Sequence, residues 1–285
     1  MDPLVSTQWL ADALGAPDLH PNLRVVDATA FLPGTPRDAH AEYLEAHIPG
    51  ALWLDLPKLC DTGDPRPSTV PTDAQFAARM AALGIGETDR IVVYDNSPLS
   101  SSGRAWWLFR LFGAQQVAIL DGGLARWMAE DRPVEQGLVT PPASPPFRAN
   151  RDDTQVRTKG DLLANLASCA AQVVDARGAS RFTGADPEPR PGMASGHIPG
   201  SVNLPTGKML GADGLWKRGD AMRETFTQAG VDLDRPLIMT CGSGVTACNL
   251  LFGAALLGKT DVTVYDGSWS EWGADPQTPK ATGPA

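Results

Sequence analysis

The stretch "LIMTCGSGVTACNLLFGAALL", residues 237–257, joins a short apolar run, a glycine-containing turn and a longer apolar run. The first run has the length of a buried strand, and the second has the length of a helix. Strand–turn–helix units are typical of α/β domains with parallel sheets, in which ligands bind beyond the carboxyl ends of the strands. Since Cys241 directly follows the predicted strand, the pattern places a cysteine at a ligand-binding edge.

The turn between this strand and helix consists of Gly242, Ser243, Gly244, Val245 and Thr246. Backbone N–H groups at the start of a helix have no acceptor within the helix, and the two glycines allow the backbone to curl around a central atom. A sulfur at that centre would accept several N–H bonds and lie at the positive end of the helix. Both effects favour thiolate over thiol. The pattern predicts that Cys241 is an exposed nucleophile in a cradle formed by these five residues.

The chain contains a long internal repeat. Four segments recur in the same order, with an offset of 145 to 150 residues. The pairs are "RVVDATAFLPG" with "QVVDARGASRFTG", "AHIPGALWLDLP" with "GHIPGSVNLPTG", "LGIGETDRIVVYD" with "AGVDLDRPLIMTC", and "AILDGGLARW" with "TVYDGSWSEW". Chance does not produce this order, so the chain holds two copies of one domain.

The copies are predicted to span residues 1–135 and 156–280, with a proline-rich linker over residues 136–155. Within each copy, short β-branched runs such as VVDA and IVVYD alternate with helical patterns such as "PTDAQFAARMAALGI". Short apolar runs between turn residues suit buried parallel strands. The predicted fold is therefore α/β, with two tandem domains that each have a parallel sheet and helices on both faces.

Composition limits the partners. The 285 residues carry a formal net charge of -9, which argues against nucleic acid as a partner. No window suits a membrane span, and the four cysteines form no CxxC pair, so a reducing cytoplasm is expected. The Cys and His residues show no ligand spacing, so no metal or cofactor is implied. The oligomeric state is left open, with a monomer as the expectation.

The whole chain resembles a two-domain sulfurtransferase of the rhodanese superfamily. The sequence "CGSGVTA" resembles the active-site loop of the 3-mercaptopyruvate sulfurtransferase branch, and "HIPG", "RFTGADPEPR", "LDGGLARW" and "YDGSWSEW" support the match. The resemblance implies tandem rhodanese-like domains with the catalytic cysteine only in the second. Asp95 stands in the first copy where the second has Cys241, so the first copy is expected to be catalytically silent.

The resemblance also implies a chemistry. The Cys241 thiolate takes sulfur from a small-molecule donor, holds it as a persulfide and passes it to an acceptor. Thioredoxin, a small thiol and cyanide all remain open as acceptors. The family implies that arginines in the segment matching "SRFTGADPEPRPG" bind the donor carboxylate, which here are Arg181 and Arg190.

Mercaptopyruvate is the expected donor. The thiosulfate-using branch has basic residues inside the loop, whereas this loop has the neutral Gly242 and Ser243. Thiosulfate:cyanide sulfurtransferase remains the alternative. A serine–histidine–aspartate relay proposed in some family members is not expected, because Pro57 and Ser68 stand at the aspartate and histidine positions. The source of the proton for the leaving enolate stays open.

Other readings of the same residues are weaker. Cysteine-dependent phosphatases need an arginine six residues after the cysteine, and residue 247 is alanine. A non-enzymatic binding module suits only the first copy, because the second retains Cys241. His47 and His197 occur in both copies and are expected to be structural.

Overall fold

The structure, a computed structural model, describes residues 1–284 and contains two compact units. The first unit comprises Met1–Asp61 and Val70–Asp152. The second comprises Thr62–Thr69 and the chain from Asp153 onward. Among the described residues, none of the helices has the length and apolar character that crossing a membrane requires.

The first unit is built on a parallel sheet of five strands. Its strands are β1 (Leu4–Val5), β2 (Leu23–Asp27), β3 (Leu52–Trp53), β4 (Arg90–Tyr94) and β5 (Gln116–Leu120). They lie in the order β1-β5-β4-β2-β3. The helices are α1 (Thr7–Gly15), α2 (Ala39–Glu45), α3 (Asp73–Leu83), α4 (Ser102–Leu111) and α5 (Gly123–Ala129).

The second unit repeats this topology. Its strands are β6 (Val156–Arg157), β7 (Gln172–Asp175), β8 (Val202–Asn203), β9 (Leu237–Thr240) and β10 (Val262–Tyr265), in the order β6-β10-β9-β7-β8. The helices are α6 (Lys159–Ser168), α7 (Ala179–Thr183), α8 (Gly219–Gln228), α9 (Ala247–Leu256) and α10 (Ser268–Trp272). The predicted fold class of two parallel α/β domains is confirmed.

Helix α3 shows how local sequence sets these elements. Thr72 and Gln75 form a capping box at its start, in which each side chain accepts a hydrogen bond from the other's backbone N–H. The helix ends at Gly84, which adopts a left-handed conformation with φ of 61°. The buried residues Phe76, Met80 and Leu83 recur at three- and four-residue spacing and face the core.

Part of the segment that was expected to be a linker packs within the first unit. Phe147 is 3% exposed, and its ring lies 5.2 Å from the ring of Phe76 in an edge-on arrangement. The backbone N–H of Asp152 donates to the carbonyl of Leu111 at 2.9 Å. A proline-rich composition hides such contacts, because a single buried aromatic residue is enough to anchor an irregular segment.

A segment of the first repeat belongs to the second unit. Within Thr62–Thr69, Arg66 pairs with Asp64 and also with Glu271, whose Oε1 lies 2.8 Å from Nη1 of Arg66. The other carboxylate oxygen of Glu271 accepts a hydrogen bond from the Tyr265 hydroxyl at 2.9 Å. Arg66 therefore attaches this segment to helix α10.

The two copies treat one buried aspartate differently. Asp27 ends β2, and its Oδ1 accepts the backbone N–H of Thr29 at 2.9 Å. Burial raises the pKa of Asp27 to about 6. Asp175 ends β7, and there Arg177 replaces the threonine and binds both carboxylate oxygens at 2.7 to 3.1 Å. In the second copy, Arg177 thus neutralises the buried carboxylate of Asp175. In the first copy, the equivalent Asp27 has Thr29 as its partner and no cation among the described residues.

This difference predicts a pH dependence of stability for Asp27→Asn. The folded state holds the Asp27 proton more tightly than the unfolded state does, so its contribution is full below about pH 4 and is lost as the pH rises through 6. Two pKa units correspond to about 3 kcal/mol. Relative to wild type, Asp27→Asn should therefore gain up to about 3 kcal/mol of unfolding free energy between pH 4 and pH 7, measured by denaturant titration.

Asp175→Asn provides the control, since it removes the partner of a buried guanidinium and should destabilise the protein at pH 7. A difference between Asp27→Asn and wild type that is the same at pH 4 and pH 7 would show that Asp27 does not titrate in this way.

Candidate active site

Cys241 lies at the carboxyl edge of the second sheet, directly after β9 and before the turn that leads into α9. Its side chain is only 2% exposed, so the expectation of an exposed cysteine was wrong. Helix α10 packs directly against Cys241 and the start of the turn. The N–H groups of Trp269 and Ser270 donate to the carbonyls of Cys241 and Gly242 at 3.0 and 2.9 Å.

The turn leaves a set of backbone donors without protein acceptors. Within residues 1–284, no hydrogen bond to a protein atom is formed by the N–H groups of Gly242, Ser243, Val245, Thr246 and Ala247. The next two N–H groups, of Cys248 and Asn249, donate back to the carbonyls of Val245 and Thr246. Helix α9 therefore begins with a run of unsatisfied donors, which is where an electron-rich ligand atom is stabilised.

The shape of the turn depends on a glycine. Gly244 has φ of 79°, a conformation that side chains rarely adopt. Its carbonyl accepts a hydrogen bond from the Cys248 thiol at 3.3 Å, and Cys248 is fully buried. The Cys248 thiol thus stabilises the turn through its hydrogen bond to Gly244.

The structure brings Arg181 to the turn. A Cβ atom on residue 242 would lie 3.1 Å from Nη2 of Arg181, so the guanidinium rests on the space that Gly242 leaves open. Arg181 extends from α7 and is paired with Glu188, and its side chain is 27% exposed. A cation therefore lies at the rim of the turn, although the turn itself is neutral.

Glu188 links Arg181 to a buried network. The carboxylate is 1% exposed and also pairs with Arg177 at 2.6 Å, and Arg177 in turn binds Asp175. The guanidinium carbon of Arg177 lies 4.4 Å from the centre of the Trp269 ring, on helix α10. Sequence reasoning missed Arg177 and Glu188. The replacement of Thr29 by Arg177 between the two copies was the signal that could have found the arginine.

Arg190, the second predicted carboxylate ligand, follows α7 in an irregular segment and is half-buried. It forms no hydrogen bond or ion pair with any residue of the described chain. Arg181 approaches Gly242 of the turn, and no such contact is seen for Arg190.

In the first copy, the side chain of Asp95 accepts two of the N–H groups of the equivalent turn. Asp95 follows β4 as Cys241 follows β9, and its carboxyl oxygens accept the N–H groups of Ser97 and Ser102 at 2.9 and 3.0 Å. The carbonyl of Asp95 accepts the N–H of Leu124 at 3.2 Å, as the carbonyl of Cys241 accepts that of Trp269. Burial raises the pKa of Asp95.

The described residues contain no group of three or more His, Cys, Asp and Glu side chains that could hold a metal ion. The second site offers a cysteine, a following run of amide donors without protein acceptors in residues 1–284, and a guanidinium at the rim of the turn. Such a site suits attack by sulfur on an anionic substrate.

Comparison with known proteins supports this reading. The sequence matches the family model for the rhodanese-like domain over residues 6–130 and 158–275. It is 45% identical to human 3-mercaptopyruvate sulfurtransferase over 271 residues, covering 94% of this chain and 91% of the human protein. It is 44% identical to thiosulfate sulfurtransferase of Bos taurus, again covering 94% of this chain and 91% of that protein.

A solved structure gives the same result. The crystal structure of SseA from Escherichia coli, described as one of the 3-mercaptopyruvate sulfotransferases, has a TM-score of 0.85 and 38% sequence identity to this chain. The match covers 95% of this chain and 100% of SseA. The resemblance drawn from the sequence motifs is confirmed.

The buried network predicts that Glu188→Gln destabilises the protein. The substitution leaves two guanidinium groups with a neutral partner, one of them buried, and should lower the free energy of unfolding by about 3 kcal/mol. Denaturant titration measures this loss. Glu130→Gln is the matched control, because Glu130 also pairs with two arginines, Arg126 and Arg132, but lies at the surface of the first unit. It should change stability little. Equal losses in the two variants would contradict the prediction.

Proposed function

The chain belongs to the rhodanese-like family as a two-domain sulfurtransferase, and we propose that it moves sulfur from 3-mercaptopyruvate to an acceptor through a persulfide on Cys241, with release of pyruvate. The observation that carries this proposal is the turn after β9. Directly after Cys241 it presents five N–H donors that have no protein acceptor among residues 1–284, and the Arg181 guanidinium lies at its rim.

The first step forms a sulfur–sulfur bond and breaks a carbon–sulfur bond. The Cys241 thiolate attacks the thiol sulfur of mercaptopyruvate, and the electron pair of the broken bond passes to the methylene carbon as the pyruvate enolate. One proton converts this enolate to pyruvate. The free N–H groups of the turn would stabilise the charge on the outer persulfide sulfur. In the second step an acceptor thiolate or cyanide takes that sulfur, and the Cys241 thiolate is restored.

Whole-chain similarity does not distinguish the donors, because relatives named for 3-mercaptopyruvate and for thiosulfate match at 45% and 44% identity. The local charge favours mercaptopyruvate. Gly242 and Ser243 add no cation to the turn, and the charge of Arg181 is balanced by Glu188. Such a rim suits a monoanionic carboxylate better than the dianion of thiosulfate. Transfer from thiosulfate to cyanide remains the second candidate, supported by the thiosulfate-named relatives.

Arg181 and Arg190 are proposed to bind the donor carboxylate in different ways. Arg181, held by Glu188 against Gly242, would donate to the carboxylate from a fixed position. Arg190 has no hydrogen-bond or ion-pair partner among residues 1–284 and would be recruited when the donor binds. A guanidinium that must be ordered on binding costs side-chain entropy, so the fixed arginine should contribute more per hydrogen bond.

The same contacts support different roles for the two copies. Residues 1–135 form a copy that carries no sulfur, because Asp95 replaces the nucleophile and its carboxyl group accepts the donors of its turn. Residues 156–280 form the catalytic copy. The four cysteines are free thiols, which suits a cytoplasmic enzyme that acts as a monomer on a small thiol, thioredoxin or cyanide.

Substitution of the nucleophile tests the proposal. Cys241→Ser should abolish sulfur transfer, because a serine hydroxyl at neutral pH neither attacks a thiol sulfur nor stores a sulfane. Intact-mass measurement after mixing with 3-mercaptopyruvate should show one added sulfur on wild type and none on the variant. Cys169→Ser and Cys60→Ser, outside the turn, should still load one sulfur. An added sulfur on Cys241→Ser would overturn the assignment.

Removal of the arginines tests carboxylate recognition. Arg181→Ala and Arg190→Ala should each lower kcat/KM for 3-mercaptopyruvate about tenfold to a hundredfold, since a charge-assisted hydrogen bond contributes about 1.5–3 kcal/mol. The loss should lie mainly in KM, because the carboxylate is bound in the ground and transition states alike.

Arg223→Ala is the control for this pair, as Arg223 is an exposed residue of α8. Alkylation of Cys241 by neutral iodoacetamide should proceed at the wild-type rate in all three variants. If KM is unchanged in both Arg181→Ala and Arg190→Ala, the carboxylate is bound elsewhere.

A further inference from the structure

Ser268, the first residue of α10, has an unusual backbone conformation. Its φ is 49°, in the left-handed region that side chains other than glycine seldom occupy. Four other non-glycine residues in 1–284 have positive φ, and all four are half-buried or exposed. They are Ser68, Ser100, Asp131 and Cys169. Ser268 is fully buried, so its strain is maintained inside the protein.

The first copy shows that the fold does not require a serine here. The sequence Asp121–Gly122–Gly123 corresponds to Asp266–Gly267–Ser268, and Gly123 adopts nearly the same φ of 56°. Glycine takes this conformation without steric cost. The second copy therefore carries a less favourable residue at this position, which calls for a reason beyond the fold.

The side chain of Ser268 contacts the nucleophile's backbone. Its Oγ accepts the N–H of Cys241 at 3.2 Å and donates to the carbonyl of Tyr265 at 2.8 Å. The hydroxyl of Thr240 lies 3.4 Å from the same oxygen. The Ser268 proton is committed to Tyr265, so the oxygen faces Cys241 as an acceptor.

We infer that Ser268 is a positioning residue for Cys241, an inference that rests on the proposed function. The hydrogen bond to the Cys241 N–H fixes the peptide plane at the end of β9, and with it the direction of the Cα–Cβ bond that carries the sulfur. The sulfur is then held toward the free N–H groups of the turn. The first copy has Asp95 in place of the cysteine, and at the position of Ser268 it has Gly123.

Two substitutions separate the hydroxyl from the backbone. Ser268→Gly removes the hydroxyl and relieves the strain, and Ser268→Ala removes the hydroxyl but keeps the Cβ atom. The rate constant for loading sulfur onto Cys241 at saturating 3-mercaptopyruvate should fall about tenfold in both, as expected for the loss of one hydrogen bond. KM should stay near the wild-type value, because neither variant touches Arg181 or Arg190.

Ser100→Gly is the matched control. Ser100 has the same φ of 49° but lies in the first unit, and the turn after β9 is in the second. Ser100→Gly should unfold at or slightly above the wild-type midpoint, whereas in Ser268→Gly the relief of strain offsets only part of the cost of leaving the buried N–H of Cys241 unpaired. Both variants should be folded at the assay temperature, and only Ser268→Gly should load sulfur slowly.

The outcomes distinguish this inference from the proposed function. If wild type does not load sulfur on Cys241, the proposed function fails. If wild type loads sulfur and Ser268→Gly or Ser268→Ala loads it equally fast, Ser268 does not position the nucleophile. Equally slow loading in Ser100→Gly would also overturn the inference, since the defect would then not depend on the hydroxyl beside Cys241.

Discussion

The arrangement of both copies depends on one requirement: the backbone N–H groups that begin a helix after a parallel strand need an acceptor. In the first unit the side chain of Asp95 supplies it, through hydrogen bonds from Ser97 and Ser102. In the second unit the residue at that point is Cys241, and five N–H groups of the following turn have no protein acceptor. The first copy pairs these donors internally, and the second leaves them available for the sulfur that the proposed function places on Cys241.

The surroundings of Cys241 also differ from those of Asp95. The second unit places a buried arginine, Arg177, where the first has Thr29, and through Glu188 this arginine holds Arg181 beside the turn. It also tolerates a strained serine where the first unit has Gly123. Buried ion pairs and backbone strain are costly, and proteins retain them most often at functional sites. The buried Arg177–Asp175 pair and the fully buried strain at Ser268 both lie in the copy with Cys241, which agrees with the proposed roles of the two copies.

Much of this could be predicted from the sequence. The repeat and the alternation of short strands with helices define the fold class, and the strand–cysteine–glycine pattern locates Cys241 at a sheet edge. Contacts between residues far apart in the chain could not be predicted, because periodicity reports only local structure. The packing of α10 against Cys241 and the pairing of Arg66 with Glu271 belong to this class. Glu188 lies only seven residues after Arg181, but in an irregular segment that periodicity does not describe.

Amide chemical shifts measure the central claim most directly. The protein, labelled with nitrogen-15, would be observed by NMR before and after addition of 3-mercaptopyruvate. If the turn stabilises a persulfide, the N–H resonances of residues 242–247 should shift on loading, while those of Ser97 and Ser102 stay unchanged because Asp95 remains their acceptor. A protein that carries one added sulfur by mass, yet shows unshifted resonances for residues 242–247, would contradict the account.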